Sequence, residues 1–151
     1  EDDFSLFAIH CGELPFKLAF LMNQSLRCQL KREREDVSVL REGKQQQYPK
    51  YRYVSRHDQV DHLLLSNIGH VDQDIAVEPQ MGLFEGMAVQ NSSVSYLMPE
   101  FKKVDYLLKI DATLAEATKK TIVAQIKSIK EVVSTYIIEP NKIKHINALN
   151  N

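Results

Sequence analysis

A chain of 151 residues with 44% hydrophobic and 26% charged residues, and only 5 Gly and 5 Pro, has the size and composition of one globular domain spanning 1–151, which excludes disordered, collagen-like and disulfide-scaffold classes. Nineteen basic residues against twenty acidic ones leave a formal charge of -1, so no global field draws the chain toward nucleic acid or anionic lipid. The apolar runs are far shorter than the roughly 20 residues of a membrane span and no signal-peptide layout opens the chain, so a cytoplasmic location is expected.

FSLFAIHC, residues 4 to 11, is a mostly apolar run suited to a buried strand, with Gly12 and Pro15 as punctuation. Pro15 is placed for the first turn of a helix, and Phe16, Leu18, Ala19, Phe20, Leu21, Met22 and Leu26 leave that helix almost no polar face, so it is expected to be largely enclosed. In LRCQLKR, residues 26 to 32, Leu26, Cys28 and Leu30 alternate with Arg27, Gln29 and Lys31, which predicts a strand with one wet face. VSVL at 37 to 40 extends or pairs with it, and REGKQQQ at 41 to 47 is expected as a loop. A strand follows in 48 to 58, with Pro49 favouring an edge position. DHLLLSNI, 61 to 68, then pairs back through a turn around Arg56 to Val60. Gly69, Pro79, Gly82 and Gly86 break residues 69 to 93 into a long connecting segment.

VSYLM, 94 to 98, is a further strand, and the alternation in VDYLLKI puts Val104, Tyr106, Leu108 and Ile110 on a core face. Lys103, Asp105, Leu107 and Lys109 fall on the other, charged face, where Asp105 and Lys103 pair weakly. Thr113 and Glu116 fit a capping box. From there Ile122, Ile126, Ile129, Val133 and Tyr136 recur at steps of four and three, predicting a long helix that runs to about Tyr136 and stops before Pro140. Residues 140–151 form a polar tail in which Ile143 and Ile146 dock lightly. The order predicts an α+β fold: an antiparallel sheet of about five to six strands, with a helix after the first strand and a long C-terminal helix packed on one face.

Met98-Pro99-Glu100, three residues, then Val104-Asp105-Tyr106 resembles the signature of the IPExxxVDY family of short bacterial proteins, with Met98 in place of the first Ile. FSLFAIHC, the Phe16 to Leu26 helix, the LLKI after Tyr106 and the final helix resemble that family's layout over nearly the whole chain. The family name records a pattern and no chemistry, so the resemblance marks Pro99, Glu100, Val104, Asp105 and Tyr106 and assigns them no role.

Several other groups carry candidate chemistry. HDQVDH supplies His57, Asp58, Asp61 and His62, which on a helix would give two i, i+4 metal-binding pairs. Between two strands a polar hairpin turn is the favoured reading. Cys11 is adjacent to His10, but neighbours on a strand face opposite sides and cannot form a dyad. Both Cys11 and Cys28 are read as reduced, half-buried residues outside any CxxC or zinc spacing. Glu100 reads first as binding backbone donors in the turn and Asp105 as fixing the strand edge, and the two read second as an acid-base pair.

The favoured function is a non-catalytic protein-interaction or binding module without a cofactor, whose partner is another protein or a second copy of the chain. Homodimerisation through an edge strand, or through an outer sheet face carrying Leu107, is the form expected. One alternative is a small-molecule binder or enzyme with a pocket between sheet and helices, lined by Phe16, Phe20, Tyr53, Phe84 and Tyr106 and covered by 69 to 93. A second is nucleic-acid binding by Lys31, Arg32, Arg34, Lys50, Arg52 and Arg56, with Tyr48, Tyr51 and Tyr53 as stacking platforms. Glu33, Glu35, Asp36 and Asp58 dilute that surface.

Overall fold

The structure, a computed structural model, describes residues 4–71, 94–144 and 149. It contains the expected first strand and first helix as β1 (Ser5–Cys11) and α1 (Pro15–Leu26). There follow β2 (Lys31–Arg32), β3 (Val37–Arg41), β4 (Lys44–Tyr48), β5 (Lys50–Val54), β6 (Asp61–Ser66), β7 (Ile68–Val71) and β8 (Val94–Tyr96). A 3-10 turn at Pro99–Phe101 leads to β9 (Tyr106–Ile110), α2 (Glu116–Lys127) and β10 (Val132–Ile138). The fold is α+β, with an antiparallel six-stranded sheet in the order β10-β1-β9-β6-β5-β2. A second, four-stranded antiparallel sheet runs β3-β4-β7-β8.

The second sheet was not expected, and it changes the meaning of the central strand. Tyr106, Leu108 and Ile110 of β9 join Phe7 and Ile9 beneath Leu18 and Met22 of α1 and Ile126 of α2. On the opposite face, Leu107 packs with Leu6, Ala8 and Leu65 against Val37 and Tyr48 of the second sheet and Leu97 just after β8. Leu107 is 0% exposed, so the charged outer face expected there does not exist. Val104 lies in this inter-sheet core rather than beside Tyr106, because β9 begins only at Tyr106 and the alternation does not extend back to it. Lys109, also buried, keeps its ammonium 3.0 Å from Asp111 and over the Phe4 ring, a long stem reaching out to a polar tip.

The two sheets are joined by one long hairpin that bends. Between the pairs Lys50–Leu65 and Gln47–His70, one arm contributes Tyr48 and Pro49 and the other Ser66, Asn67, Ile68 and Gly69. The surplus residues make the corner, a device by which strands switch sheets. Pro49 lacks an N–H, yet its carbonyl accepts the Ser66 N–H at 3.0 Å, so the arms stay tied through the bend. A Cβ at Gly69 would lie 2.3 Å from the Gln47 carbonyl oxygen and 2.5 Å from the Tyr48 ring, so only glycine lets the buried tyrosine close the corner.

Four further expectations are corrected. The long C-terminal helix ends at Lys127, and Val132 onward is strand β10, because VVSTYII consists almost entirely of β-branched and aromatic residues. The capping box is not made: Ala115 is the N-cap and no side chain caps α2. Of the strand predicted over 26 to 32, only Lys31–Arg32 pairs, since α1 continues through Leu26 and Arg27 turns left-handed at its end (φ 57°). The predicted loop at 41 to 47 is the β3–β4 hairpin, turning on Glu42 (φ 53°) and Gly43 (φ 73°), the positive pair that two-residue hairpins use. From residue 72 the connecting segment 69–93 lies outside the described residues, as does Ile146; Ile143 packs on the inter-sheet core as expected.

Gly69→Ala is predicted to lower unfolding free energy by about 2 kcal/mol or more, read as a reduced urea midpoint. Gly12→Ala, where an added Cβ meets nothing within 4 Å, is predicted to stay within about 0.5 kcal/mol of the parent.

Candidate functional site

The resembled signature lies where the hairpin arm β6–β7 changes partners. Ser66 pairs with Tyr106 of β9 and Ile68 pairs with Tyr96 of β8, so residues 97 to 105 loop out opposite the single residue Asn67. Asn67 is 0% exposed, and all of its polar atoms are spent on that loop. Its backbone N–H donates to the Asp105 carbonyl (2.9 Å) and its carbonyl accepts the Leu97 N–H (2.8 Å), closing the two ends. Its side-chain Oδ1 accepts the Met98 N–H (2.7 Å), and Nδ2 donates to the carbonyls of Phe101 and Val104, both at 2.9 Å. Arg41 adds a second clamp, its guanidinium donating to the Tyr96 and Leu97 carbonyls at 2.6 and 2.9 Å.

Each signature residue then has a structural task. Pro99 opens the 3-10 turn at a position where a missing N–H is harmless. Glu100 accepts the Lys144 N–H at 2.7 Å and so holds the chain beyond β10. Val104 fills the inter-sheet core. Asp105 donates its own N–H to the Ile9 carbonyl (3.1 Å), while its Oδ2 accepts the Cys11 N–H (2.8 Å), extending the β1–β9 ladder past its last strand pair. The Tyr106 hydroxyl donates to the Glu13 carbonyl at 2.5 Å and fixes the turn into α1. The expected Asp105–Lys103 pairing is replaced by this backbone bond. Glu100 and Asp105 bind separate backbone segments, which suits the turn-and-edge reading better than an acid-base pair.

Beside the signature, Cys11, Glu13, Ser66, Asp105 and Tyr106 line a cleft of about 250 Å³. Burial pushes the Cys11 thiol above its ordinary pKa, and the carboxylates of Glu13, Asp105 and Glu131 push it the same way. Burial raises the Tyr106 hydroxyl strongly as well. Both groups are therefore held protonated, the opposite of what a nucleophile requires. His10 points away, its Nε2 3.3 Å from the Tyr136 hydroxyl.

The HDQVDH residues disperse. His57 and Asp58 lie in the turn between β5 and β6, with Asp58 accepting the Ser55 hydroxyl. Asp61 forms a two-pronged ion pair with Arg52 at 2.8 and 2.9 Å, and His62 hydrogen-bonds the Val60 carbonyl through Nδ1 at 3.0 Å. Among the described residues no cluster of three or more His, Cys, Asp or Glu is arranged to hold a metal ion.

The expected nucleic-acid surface also loses its platforms. Tyr48 is fully buried and Tyr51 is buried under the Arg32 guanidinium, while Arg32 pairs with Asp36 and Arg52 with Asp61. Nor do the four described residues of the expected aromatic pocket converge: Phe16 and Phe20 are exposed, and Tyr53 and Tyr106 line different clefts; the fifth, Phe84, lies outside the described residues. No helix among the described residues is long and apolar enough to cross a membrane.

The residue that sequence reasoning missed is Asn67. Its signal was an asparagine closing an apolar strand two residues before Gly69. Comparison with known protein families, with curated proteins and with solved structures gives no match.

Asn67→Ala strands one buried N–H and two carbonyls, so a loss of about 3 kcal/mol or more is predicted in chemical denaturation. Asp105→Asn keeps an acceptor for Cys11 and is predicted to lose about 1 kcal/mol. Both cysteines are free, and burial raises the Cys28 thiol to about 11. Because folding raises this acid's pKa, its stabilising effect is complete below the unfolded value near 9 and is lost as pH rises toward 11. Iodoacetamide labelling of Cys28 is predicted to be slow at pH 8 and to reach half its limiting rate near pH 11.

Proposed function

We propose that the chain is a non-catalytic interaction module that pairs with a second copy of itself by antiparallel strand addition along β10. The observation that carries the reading is the composition of an edge. β10 stands at the end of the six-stranded sheet, is seven residues long, and has no charged residue from Val132 to Ile138. Val133 is 82% exposed and Tyr136 43%.

Edge strands of stable monomers are blunted by lysine, proline, shortness or a cover, because unpaired N–H and C=O groups template further pairing. β2, the opposite edge, follows that rule with two residues, Lys31 and Arg32. β10 does not. An antiparallel pairing of two identical strands is self-complementary and closes on a two-fold axis, giving a dimer with one continuous sheet instead of an open fibre. The alternative dimer through an outer sheet face has lost its basis, since Leu107 lies between the two sheets. Membership of the IPExxxVDY family, a bacterial origin and a cytoplasmic location belong to the same proposal and rest on the signature and the composition alone.

Size-exclusion chromatography with light scattering is predicted to give twice the 17.4 kDa chain mass at about 50 µM. Val133→Lys and Tyr136→Lys are predicted to give monomers whose melting temperatures stay within a few degrees. Phe16→Lys, on the exposed side of α1, is predicted to leave the dimer intact. A parent chain that is monomeric at that concentration, or a dimer broken by Phe16→Lys and not by Val133→Lys, would overturn the reading.

A further inference from the structure

A second cleft, distinct from the β10 edge and from the signature, opens between the C-terminal end of α1, the helix α2 and the sheet face of β5, β6 and β9. Its volume is about 240 Å³. The sequence explains why the sheet is uncovered there. α1 stops at Leu26, where Arg27 takes a left-handed cap, and the Asn23 side chain then clamps the following strip. Its Oδ1 accepts the Leu30 N–H (2.8 Å) and its Nδ2 donates to the Leu30 carbonyl (3.1 Å). The Ser25 hydroxyl donates to the Gln125 carbonyl at 2.6 Å, pinning α1 to α2 at the mouth. The opening is therefore built from tied parts and is not a gap between loose ends.

The floor is apolar, made by Leu108 and Ile110 of β9, with Leu30 and Ile122 as walls. Cys28 and Ser55 are hydrogen-bonded to Asn23 and Asp58, but other polar groups around it are unspent. Among the described residues, the Arg27 guanidinium, the Gln125 carboxamide and the Tyr53 hydroxyl have no hydrogen bond or ion pair. His62 uses Nδ1 on the Val60 carbonyl, which requires the proton there and leaves Nε2 unused. Arg27 is the only Lys, Arg, Asp or Glu among the lining residues, and the carboxylate beside the cleft, Asp58, is taken up by the Ser55 hydroxyl. An apolar floor with a few convergent polar groups is the usual composition of a ligand site.

We infer that this cleft binds a small monocarboxylate with an apolar body, such as a single aromatic ring or a branched alkyl chain. The carboxylate sits at Arg27 and Gln125 and the body lies on Leu108, Ile110 and Ile122. The volume falls below the roughly 300 Å³ at which pockets for drug-sized ligands begin, which excludes nucleotides and larger cofactors.

The test uses 3-phenylpropanoate as the probe and 3-phenylpropanamide as its uncharged counterpart, titrated into the full chain and followed by amide proton–nitrogen spectra. Saturable shifts are expected at Cys28, His62, Ile110 and Gln125, with the amide binding at least about fivefold more weakly. Arg27→Gln, an exposed change, is expected to bring the carboxylate down to the affinity of the amide. Ile122→Trp is expected to abolish both. Shifts that fail to saturate at about 20 mM, shifts centred elsewhere, or equal carboxylate binding by Arg27→Gln would each overturn the inference. None of these readouts depends on whether the chain dimerises through β10.

Discussion

Asn67 holds the two sheets in one molecule. Where the bent hairpin passes from β6 to β7 its partner strand changes from β9 to β8, and residues 97 to 105 must leave and return within the space of one residue. A loop entering a dry corner carries backbone groups that water cannot reach, each costing about 1–3 kcal/mol if left unpaired. One buried side-chain amide, with an acceptor and two donor hydrogens, meets three of them, and its own backbone meets two more. An aspartate would place a charge against two carbonyls, and a leucine would supply no partner, so the corner specifies asparagine by hydrogen-bond arithmetic.

From that corner the burial of β9 on both faces follows. Once the second sheet is folded against the first, Leu107 and Val104 are enclosed on one side while Tyr106, Leu108 and Ile110 are enclosed on the other by the helices. The residues that resemble a family signature are thereby used up in architecture: Asp105 prolongs a ladder, Tyr106 anchors the turn into α1, and Glu100 holds the chain after β10. What remains unspent among the described residues lies elsewhere, at the uncharged β10 edge and at the mouth of the cleft beside Arg27. The proposed pairing and the inferred carboxylate site both start from groups that the fold itself does not need.

Much of this order was legible. β1, α1, the β5–β6 hairpin and β9 announced themselves through apolar runs, a proline at a helix start and alternation with a period of two. The C-terminal region misled for a definite reason. Ile122, Ile126 and Ile129 are helical in spacing, and Val133 and Tyr136 continue the same spacing although they belong to a strand. No glycine or proline marks the break near Ser128, and only the cluster of β-branched residues in VVSTYII carried the warning. In KQQQY the glutamines hid a strand, because an exposed hairpin needs no apolar alternation; the better signal was Glu42-Gly43, a pair suited to positive φ. The second sheet was invisible for a deeper reason: alternation shows which residues share a face and never what covers the other face. The same limit hid the role of Asp105, whose partner, the Cys11 N–H, is 94 residues away in the chain.

Native-state amide hydrogen exchange distinguishes a structural brace centred on Asn67 from a mobile functional loop in the signature segment. For a brace, the Met98 and Cys11 amides, which donate to Asn67 Oδ1 and Asp105 Oδ2, are expected to exchange only through global unfolding, with the same opening free energy as the amides of β9. Exchange of either amide a hundredfold or more faster than β9 would show the segment opening locally and would contradict it.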